Sequence, residues 1–322
     1  MNTAVTTRKQ VNVFMSDVMA GLNASPKYLQ SKYFYDARGD ALFQQIMHCR
    51  DYYLTRCEME ILSVQSGEMA ALLSGDQPFD LIELGAGDAS KSFHLLKALI
   101  QRKSLHCYYP IDISANIIAH LEETLPAKLP GLNMEGLNGD YLDMLQMTRQ
   151  RSGRKRVIMF MGSSIGNFTP PEALQFCCRL RQQMNPGDVL IVGFDLKKHP
   201  AIILKAYNDS QGITKAFNLN LLHRINRELG ADFNTDNFGH YPVYDPLTGS
   251  CKSYLISLAE QTVRIGEAGT VRFRKDEAIY MEISQKYTLE EIHQMMESAG
   301  FKPLRHFHDT KKWFTDTVWQ CL

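Results

Sequence analysis

The chain has 322 residues, of which 44% are hydrophobic, and its 35 basic and 35 acidic side chains give a formal net charge of zero. This length allows one large domain or two ordinary domains with a substantial core. Because the charges balance and the one dense basic run, Arg151–Arg156, is short, we expect no nucleic acid partner. No apolar stretch approaches the ~18 residues of a membrane helix, so we expect no membrane association either.

The seven cysteines are scattered and odd in number, which indicates reduced thiols rather than a disulfide framework. The first ten residues lack the apolar segment of a signal peptide, and we therefore expect a cytoplasmic protein. The histidines lack metal-ligand spacing. His306 and His308 share one face of a predicted strand, but no third ligand is apparent, so no metal site is predicted.

The first 50 residues are predicted to be helical with an aromatic-rich loop inside. Val11, Phe14 and Val18 are spaced for one helix face. Thr55 and Glu58 form a capping-box pattern ahead of an apolar helix, which predicts that this helix begins at Thr55.

From residue 79 onward, short apolar strands alternate with helices. The predicted strands are 79–84, 107–111, 133–137, 157–161 and 188–194. This alternation predicts a parallel, doubly wound sheet. Right-handed crossovers then bring the carboxyl ends of all these strands to one edge of the sheet.

The pattern changes after residue 199. A long helical stretch over 203–229 precedes a turn-rich segment over 240–249 and three strand-like segments, and a final helix leads to two closing strands. We predict an α/β protein with a Rossmann-like core of the class I methyltransferase type, in which a C-terminal antiparallel hairpin completes the parallel sheet. The predicted core comprises residues 62–198 and 286–322, and the predicted substrate-binding domain comprises residues 1–61 and 199–285.

Three successive strand ends carry residues suited to a nucleoside. Gly85 and Gly87 follow the first strand, where a tight turn can approach a ligand closely. Ser90 replaces the last glycine of a dinucleotide fingerprint, so a pyrophosphate site is only partly matched and a plain turn stays possible. Asp112 ends the next strand, where a carboxylate can accept hydrogen bonds from two ribose hydroxyls. Asp140 follows the third strand. Alone it would be a turn cap, but the three together favour S-adenosylmethionine.

The fourth strand is followed by Gly162-Ser-Ser-Ile-Gly-Asn167. This edge holds the substrate beside the methyl group in many methyltransferases. Asn167 offers both a donor and an acceptor, which suits the carboxylate and amine of an amino acid. A turn-forming asparagine is the alternative interpretation.

Several motifs together resemble a known family. They are Tyr33-Phe-Tyr-Asp36, Asp51-Tyr-Tyr-Leu-Thr-Arg56, Glu83-Leu-Gly-Ala-Gly87, Gly162-Ser-Ser-Ile-Gly-Asn167, Ala206-Tyr207, Ala216-Phe-Asn-Leu-Asn220 and Glu282-Ile-Ser284. In this order they are similar to the histidine Nα-methyltransferases of ergothioneine biosynthesis, over nearly the whole chain. The same broad family includes enzymes that methylate other amino acids, such as prenylated tryptophan.

The resemblance implies a cofactor, a substrate and a set of site residues. It implies S-adenosylmethionine without a metal, a small amino-acid substrate and a monomer. The expected cofactor-binding residues are Gly85, Gly87, Lys91, Asp112, Asp140, Tyr141 and Gly162. The expected substrate-binding residues are Tyr52, Asn167, Tyr207, Ser253, Glu282 and Ser284. Tyr35 and Asn167 are the expected catalytic residues.

Glu282 and Ser284 are supported independently, because residues two apart on a strand share a face. A carboxylate can accept from one imidazole nitrogen while a hydroxyl serves the other. An alternating polar face without this role is the alternative. Ser253 departs from the family pattern, since the well-known bacterial enzymes carry a methionine there. Ser253 therefore leaves methylation of another amino acid open. A nicotinamide oxidoreductase and a non-catalytic cofactor-binding protein are two further alternative functions.

Overall fold

The computed structural model describes residues 2–322, with side chains described from Asn12 onward. The side chain of Val11, predicted on one helix face with Phe14 and Val18, therefore lies outside the described part. The chain folds into two compact units. The core unit comprises Leu54–Lys198 and Gln285–Leu322, and the insertion unit comprises Met1–Tyr53 and His199–Ser284.

The α-helices of residues 2–322 are α1 Asn2–Asn23, α2 Ala37–His48, α3 Tyr53–Leu73, α4 Ser92–Gln101, α5 Ala115–Lys128, α6 Tyr141–Thr148, α7 Pro170–Gln183, α8 Pro200–Tyr207, α9 Ile213–Leu229 and α10 Leu289–Ser298. The strands of the same residues are β1 Lys27–Tyr28, β2 Phe79–Leu84, β3 Leu105–Asp112, β4 Leu137–Asn138, β5 Arg156–Phe160, β6 Val189–Asp195, β7 Phe238–Tyr244, β8 Ser250–Ser257, β9 Gln261–Ile265, β10 Gly269–Phe273, β11 Ala278–Gln285, β12 Phe301–His308 and β13 Phe314–Cys321. None of these helices combines the length and apolar content needed to cross a membrane.

The core unit is built on one sheet with the strand order β12-β13-β6-β5-β2-β3-β4. β4, β3, β2, β5 and β6 are parallel, and β13 runs antiparallel between β6 and β12. The predicted Rossmann-like sheet with a C-terminal antiparallel hairpin is therefore confirmed. Strand order reverses beside β2, and ligands of such sheets bind where the order reverses, outside the carboxyl ends of the strands.

The central parallel strands are buried over their full length, which matches their continuous apolar sequence. Helices α7 and α10 pack on this sheet through residues that include Phe176, Leu180, Ile292 and Met296. Both helices begin with capping boxes, in which a glutamate accepts from the backbone N–H of its N-cap threonine. Local sequence signals and tertiary packing agree in this part of the chain.

The insertion unit has its own core around helix α9. Its main sheet has the order β1-β11-β8-β7, and β9 and β10 form a separate hairpin. Phe217, Leu221 and Ile225 on one face of α9 pack with Phe14 and Val18 of α1, as the helical spacing of the latter two predicts. A second hydrophobic core makes this unit a true folding unit rather than a loop.

Two predictions within the insertion were wrong. The turn-rich segment 240–249 begins with strand β7, which tolerates Pro242 because β7 lies at the edge of its sheet. The helical stretch 203–229 is two helices rather than one. The Asp209 carboxylate accepts from the backbone N–H groups of Ile213 and Thr214, and this capping starts α9 anew.

The predicted boundary between residues 61 and 62 was also displaced. It falls inside α3, which begins at Tyr53 rather than at Thr55 and is one continuous helix. Residues 54–61 belong to the core unit, and the second boundary lies between Ser284 and Gln285. The capping-box interpretation of Thr55 and Glu58 is therefore wrong, because neither stands at the start of the helix.

Candidate active site

The turn after β2 is shaped for close approach of a ligand. The N–H groups of Gly85 and Ala86 donate to the carbonyl of Ile111 at 2.8 and 3.2 Å, which folds the turn against the end of β3. Gly85 has φ +75°, and a Cβ at this position would lie 2.8 Å from the Tyr141 Oη. A larger residue would be strained and would displace Tyr141, so this turn requires glycine.

Asp112 ends β3 beside the glycine turn. Its Oδ2 accepts from the Gly87 N–H at 3.2 Å and its Oδ1 from the Ser114 N–H at 2.9 Å. Each carboxylate oxygen has a further lone pair, so both can still accept from the vicinal hydroxyls of a ribose. Burial raises the pKa of Asp112, and the backbone hydrogen bonds partly offset this effect. The carboxylate thus fits the nucleoside role that its strand position predicts.

Asp140 and Tyr141 follow β4 at the same edge of the sheet. Asp140 caps α6, because its Oδ1 accepts from the Leu142 N–H at 3.0 Å. Burial raises the pKa of Tyr141 to about 12, so its phenol stays protonated and can donate near the glycine turn. The interpretation of Asp140 as a cap is therefore confirmed. A second lone pair and a second oxygen leave it able to accept from an adenine amino group.

Lys91 opens the helix after the glycine turn and contacts a buried carboxylate. Its ammonium donates to Glu58 Oε2 of α3, and Glu58 Oε1 accepts from the Gly162 N–H at 2.6 Å. Gly162 has φ +73°, and a Cβ there would lie 3.5 Å from Lys91 Nζ. Lys91 and Gly162, both predicted on the cofactor side, are therefore brought together by a residue that the prediction did not include.

Asn167 lies at the end of a short 3-10 helix, Ser164–Asn167, which follows β5 and Gly162. It is exposed at the edge of the sheet where the cofactor-side residues gather. Ser163 has φ +56° and its hydroxyl accepts from the Asp195 N–H at 3.2 Å, which ties this turn to the end of β6. An exposed amide on a tethered turn is consistent with a role in binding substrate.

In the insertion unit, three of the predicted substrate residues lie together. Tyr207 Oη and Ser284 Oγ are 2.6 Å apart, and the rings of Tyr52 and Tyr207 meet edge to face at 6.2 Å between centroids. Glu282 and Ser284 alternate with the buried Met281 and Ile283 along β11 and so share the less buried face. Tyr52, Tyr207 and Ser284 thus form one connected polar and aromatic group.

Ser253 and Tyr35 have surroundings that the sequence did not suggest. Ser253 is buried on β8, and its Oγ lies 3.4 Å from His240 Nε2. Burial lowers the pKa of His240 to about 4, so this imidazole is neutral at physiological pH. The Tyr35 ring packs edge to face on Phe43 and Phe217 and is 39% exposed. Its part in catalysis stays a prediction.

Comparison with known proteins identifies the family. The sequence profile described as "Histidine-specific methyltransferase, SAM-dependent" matches residues 14–321. The chain belongs to this family. It is therefore an S-adenosylmethionine-dependent methyltransferase, and the resemblance predicted from its motifs is confirmed.

Relatives of this methyltransferase cover most of its length. "Histidine N-alpha-methyltransferase" of Mycobacterium tuberculosis is 36% identical over 301 residues, which are 93% of this chain and 90% of that protein. The protein of the same name from Mycolicibacterium smegmatis has the same identity and coverage. "Ergothioneine biosynthesis protein 1" of Neurospora crassa is 32% identical over 286 residues, which are 86% of this chain and 31% of that longer protein.

Two buried acids of this methyltransferase, Glu58 and Glu83, were not among the predicted site residues. Glu58 stands at a core position of α3, in register with Leu54, Cys57 and Ile61. A charged residue within an apolar helix face is the signal that could have revealed it, since glutamate is almost never fully buried without a partner.

Glu83 lies in β2 just before the glycine turn. It accepts from the Ser92 hydroxyl and, at 2.5 Å, from the Tyr108 hydroxyl. Burial raises the pKa of Glu83 to about 7, although these hydrogen bonds act in the opposite direction. The interior behind the glycine turn therefore holds an acid that titrates near neutral pH.

Proposed function

We propose that this enzyme transfers methyl groups from S-adenosylmethionine to the α-amino group of L-histidine, three times in succession, to give Nα,Nα,Nα-trimethylhistidine (hercynine) on the route to ergothioneine. The observation that carries the proposal is the shared face of Glu282 and Ser284 on β11, with the Tyr207 hydroxyl 2.6 Å from Ser284. An acceptor and a hydroxyl two residues apart suit the two nitrogens of an imidazole.

The proposed cofactor contacts lie along the carboxyl edge of the core sheet. Asp112 would accept from the ribose hydroxyls, Asp140 from the adenine amino group, and Tyr141 would lie beside the nucleoside. Gly85, Gly87 and Gly162 would border it with backbone, and Lys91 would pair with its carboxylate. S-adenosylmethionine, when bound, supplies a methyl group activated by the sulfonium.

The proposed acceptor contacts are those that the family resemblance implies. Asn167 and Tyr207 would hold the α-carboxylate and the amine region, Tyr52 would contact the substrate, and Glu282 and Ser284 would bind the imidazole. Ser253 would lie beside the side chain of the substrate. These residues need not form a covalent bond to the substrate, because alignment of a lone pair with the methyl–sulfur axis can supply several kcal/mol.

Each transfer requires a neutral amine. One proton leaves the nitrogen, the nitrogen–methyl bond forms, and the sulfur–methyl bond breaks to leave neutral S-adenosylhomocysteine. An α-amino pKa near ~8 makes the neutral amine accessible at neutral pH, so the chemistry does not demand a dedicated base. The phenols of Tyr35 or Tyr52 would relay the proton to water. After three transfers the nitrogen carries a fixed charge and no proton, and the reaction stops.

The proposal is tested by mass spectrometry of reactions with histidine and S-adenosylmethionine. We expect mono-, di- and trimethylated histidine in sequence, with the label of a methyl-labelled donor on the α-nitrogen. No methylated histidine at millimolar substrate would exclude histidine as the acceptor. A thermal-shift comparison of S-adenosylhomocysteine with NAD separates this proposal from an oxidoreductase, and product formation separates it from a non-catalytic binding protein.

A second candidate, methylation of another amino acid, rests on Ser253. Its contact with His240 makes this part of β8 polar. The methionine of the well-known bacterial enzymes would make it apolar, so the two residues would favour different substrate side chains. A panel of amino acids with the same assay decides between the two substrates. The histidine proposal predicts the largest kcat/KM for histidine.

Location, oligomeric state, metal use and partners are also part of the proposal. We propose a cytoplasmic monomer that uses no metal and binds neither nucleic acid nor membrane. The balanced charge supports the absence of a nucleic acid partner. Light scattering of the purified protein, and activity unchanged by a chelator, would test the monomer and the metal-free chemistry.

A further inference from the structure

A cluster of three largely buried ionisable side chains lies beneath the carboxyl edge of the core sheet. Glu58 of α3 and Asp316 of β13 are both fully buried, and about a fifth of the Lys91 side chain is exposed. A Cβ on Gly193 of β6 would lie 2.5 Å from Glu58 Oε1 and 3.2 Å from Asp316 Oδ1. Both carboxyl groups therefore occupy the space that this glycine leaves open.

The two carboxyl groups have very different partners. Glu58 uses one oxygen for the Lys91 ammonium and the other for the Gly162 N–H. Within residues 2–322, neither oxygen of Asp316 has a hydrogen-bond partner. One ammonium group can neutralise one carboxylate, and a second buried charge without a hydrogen bond would cost several kcal/mol. Charge balance therefore requires Asp316 to hold a proton.

The acidic side chains that face Lys91 all raise its pKa when they are ionised. Glu58, Asp316 and Glu83 face it from α3, β13 and β2. Burial alone would lower the pKa of Lys91, but Glu58 outweighs this effect, and the pKa is raised. Burial, reinforced by the negative charge of Glu58, raises the pKa of Asp316 well above its usual range, which agrees with the charge balance.

Lys91 is held at a defined place by this arrangement. Its Nζ lies near Gly162, and among the described residues Glu58 is the acceptor of its hydrogen bond. An ammonium group has three protons, so two can meet a ligand. Glu58 of α3 bonds to Lys91 and to Gly162, which lie in the two different loops that follow β2 and β5.

We propose that Glu58 is a positioning residue of the methyl-donor site, which holds Lys91 charged and aligned with Gly162 for the carboxylate of the donor, with Asp316 as an uncharged acid beneath it. This inference rests on the proposed function, because it assumes that S-adenosylmethionine binds at this edge. Glu58 itself touches neither the donor nor the acceptor in this role. It acts through Lys91 and through the backbone of Gly162.

The test is the binding of S-adenosylhomocysteine, measured by isothermal titration calorimetry with the full-length protein at several pH values. Glu58→Gln keeps the size of the side chain and its acceptor for Gly162 but removes the charge. The ammonium of Lys91 then loses the ionised carboxylate to which it donates, and its pKa falls. We expect the dissociation constant of this variant to exceed that of the wild type about threefold at about pH 7 and at least about tenfold at about pH 9.5.

Two further variants make the result specific. Asp316→Asn copies a protonated acid, so we expect the dissociation constant to stay within about twofold of the wild-type value at every pH. Asp188→Asn breaks the buried ion pair with Arg156 at the opposite end of β5. It serves as a matched control that lowers stability, and the ratio of its dissociation constant to the wild-type value should be independent of pH.

The outcomes are distinguishable. A wild-type protein that does not bind S-adenosylhomocysteine would overturn both the proposed function and this inference. A wild-type protein that binds, with a Glu58→Gln ratio that stays constant across pH, would overturn the positioning role alone. Loss of affinity in Asp316→Asn as large as in Glu58→Gln would show that Asp316 is ionised, and this too would overturn the proposal.

Discussion

The phenol oxygen of Tyr207 lies 2.6 Å from the hydroxyl oxygen of Ser284, although 77 residues separate them in the chain. This hydrogen bond links the end of α8 to the polar face of β11. It orients the Ser284 hydroxyl on the strand that also carries Glu282. The proposed contact with the substrate side chain therefore depends on a pair of residues rather than on one.

Tyr207→Phe removes this hydrogen bond and leaves the ring contact with Tyr52. We expect the KM for histidine to rise about tenfold, because the charged α-carboxylate and amine region of the substrate loses the Tyr207 hydroxyl and the Ser284 hydroxyl is no longer oriented. The kcat should change less than about threefold. Affinity for S-adenosylhomocysteine should be unchanged. Steady-state kinetics and calorimetry measure these values, and Tyr241→Phe on the exposed edge strand β7 is the control. If Ser284→Ala and Tyr207→Phe act additively in the double variant, the two residues do not act as a pair.

Asp112→Ala removes the carboxylate at the end of β3. Two hydrogen bonds to a charged acceptor are lost, and we expect about a 100-fold weaker dissociation constant for S-adenosylhomocysteine. The exposed Asp76 supplies a control, since Asp76→Ala removes the same charge from the same unit. Unchanged binding in Asp112→Ala would mean that this strand end does not contact the ribose.

Glu83 makes the stability of the enzyme depend on pH. Its pKa is about 7 in the folded protein and 4.5 in a solvated chain, so the folded state keeps a proton that the unfolded state loses. The free energy of unfolding should therefore fall as the pH rises from 4.5 to 7, by about 3 kcal/mol from this group. Glu83→Gln cannot titrate, and urea unfolding should show a flatter pH profile for this variant. Parallel profiles for the two proteins would contradict the assignment.

The buried pair Arg156 and Asp188 supports the fold rather than the chemistry. The guanidinium Nη2 lies 2.9 Å from Asp188 Oδ2, and both side chains are almost fully buried. Asp188→Ala leaves an uncompensated buried charge, and we expect a loss of about 3 to 5 kcal/mol in urea unfolding. Glu260→Ala breaks the exposed pair with Arg272, which solvent screens, and should cost much less stability than the loss of the buried pair. Similar losses in both variants would show that burial does not set the strength of these pairs.

The sequence by itself determined the core sheet and the residues at its carboxyl edge. Apolar strands and amphipathic helices are local patterns, and parallel βαβ units are almost always right-handed. Gly85, Asp112 and Asp140 could therefore be placed at neighbouring strand ends without coordinates. The spacing of Glu282 and Ser284 determined their common face in the same way, because the side-chain period of a strand is two.

Only the tertiary structure decided which distant residues meet. Glu58 has the sequence context of a helix cap, yet α3 begins at Tyr53 and turns Glu58 toward Lys91 and Gly162. Pro242 stands in a strand because β7 is at a sheet edge, and Ser253 meets His240 because β7 and β8 pair in one register. Such contacts depend on the packing of whole elements, and no local pattern carries that information. The position of a buried charge depends on its partners across the fold, and the cluster of Glu58, Lys91 and Asp316 could therefore not be predicted from its separate segments.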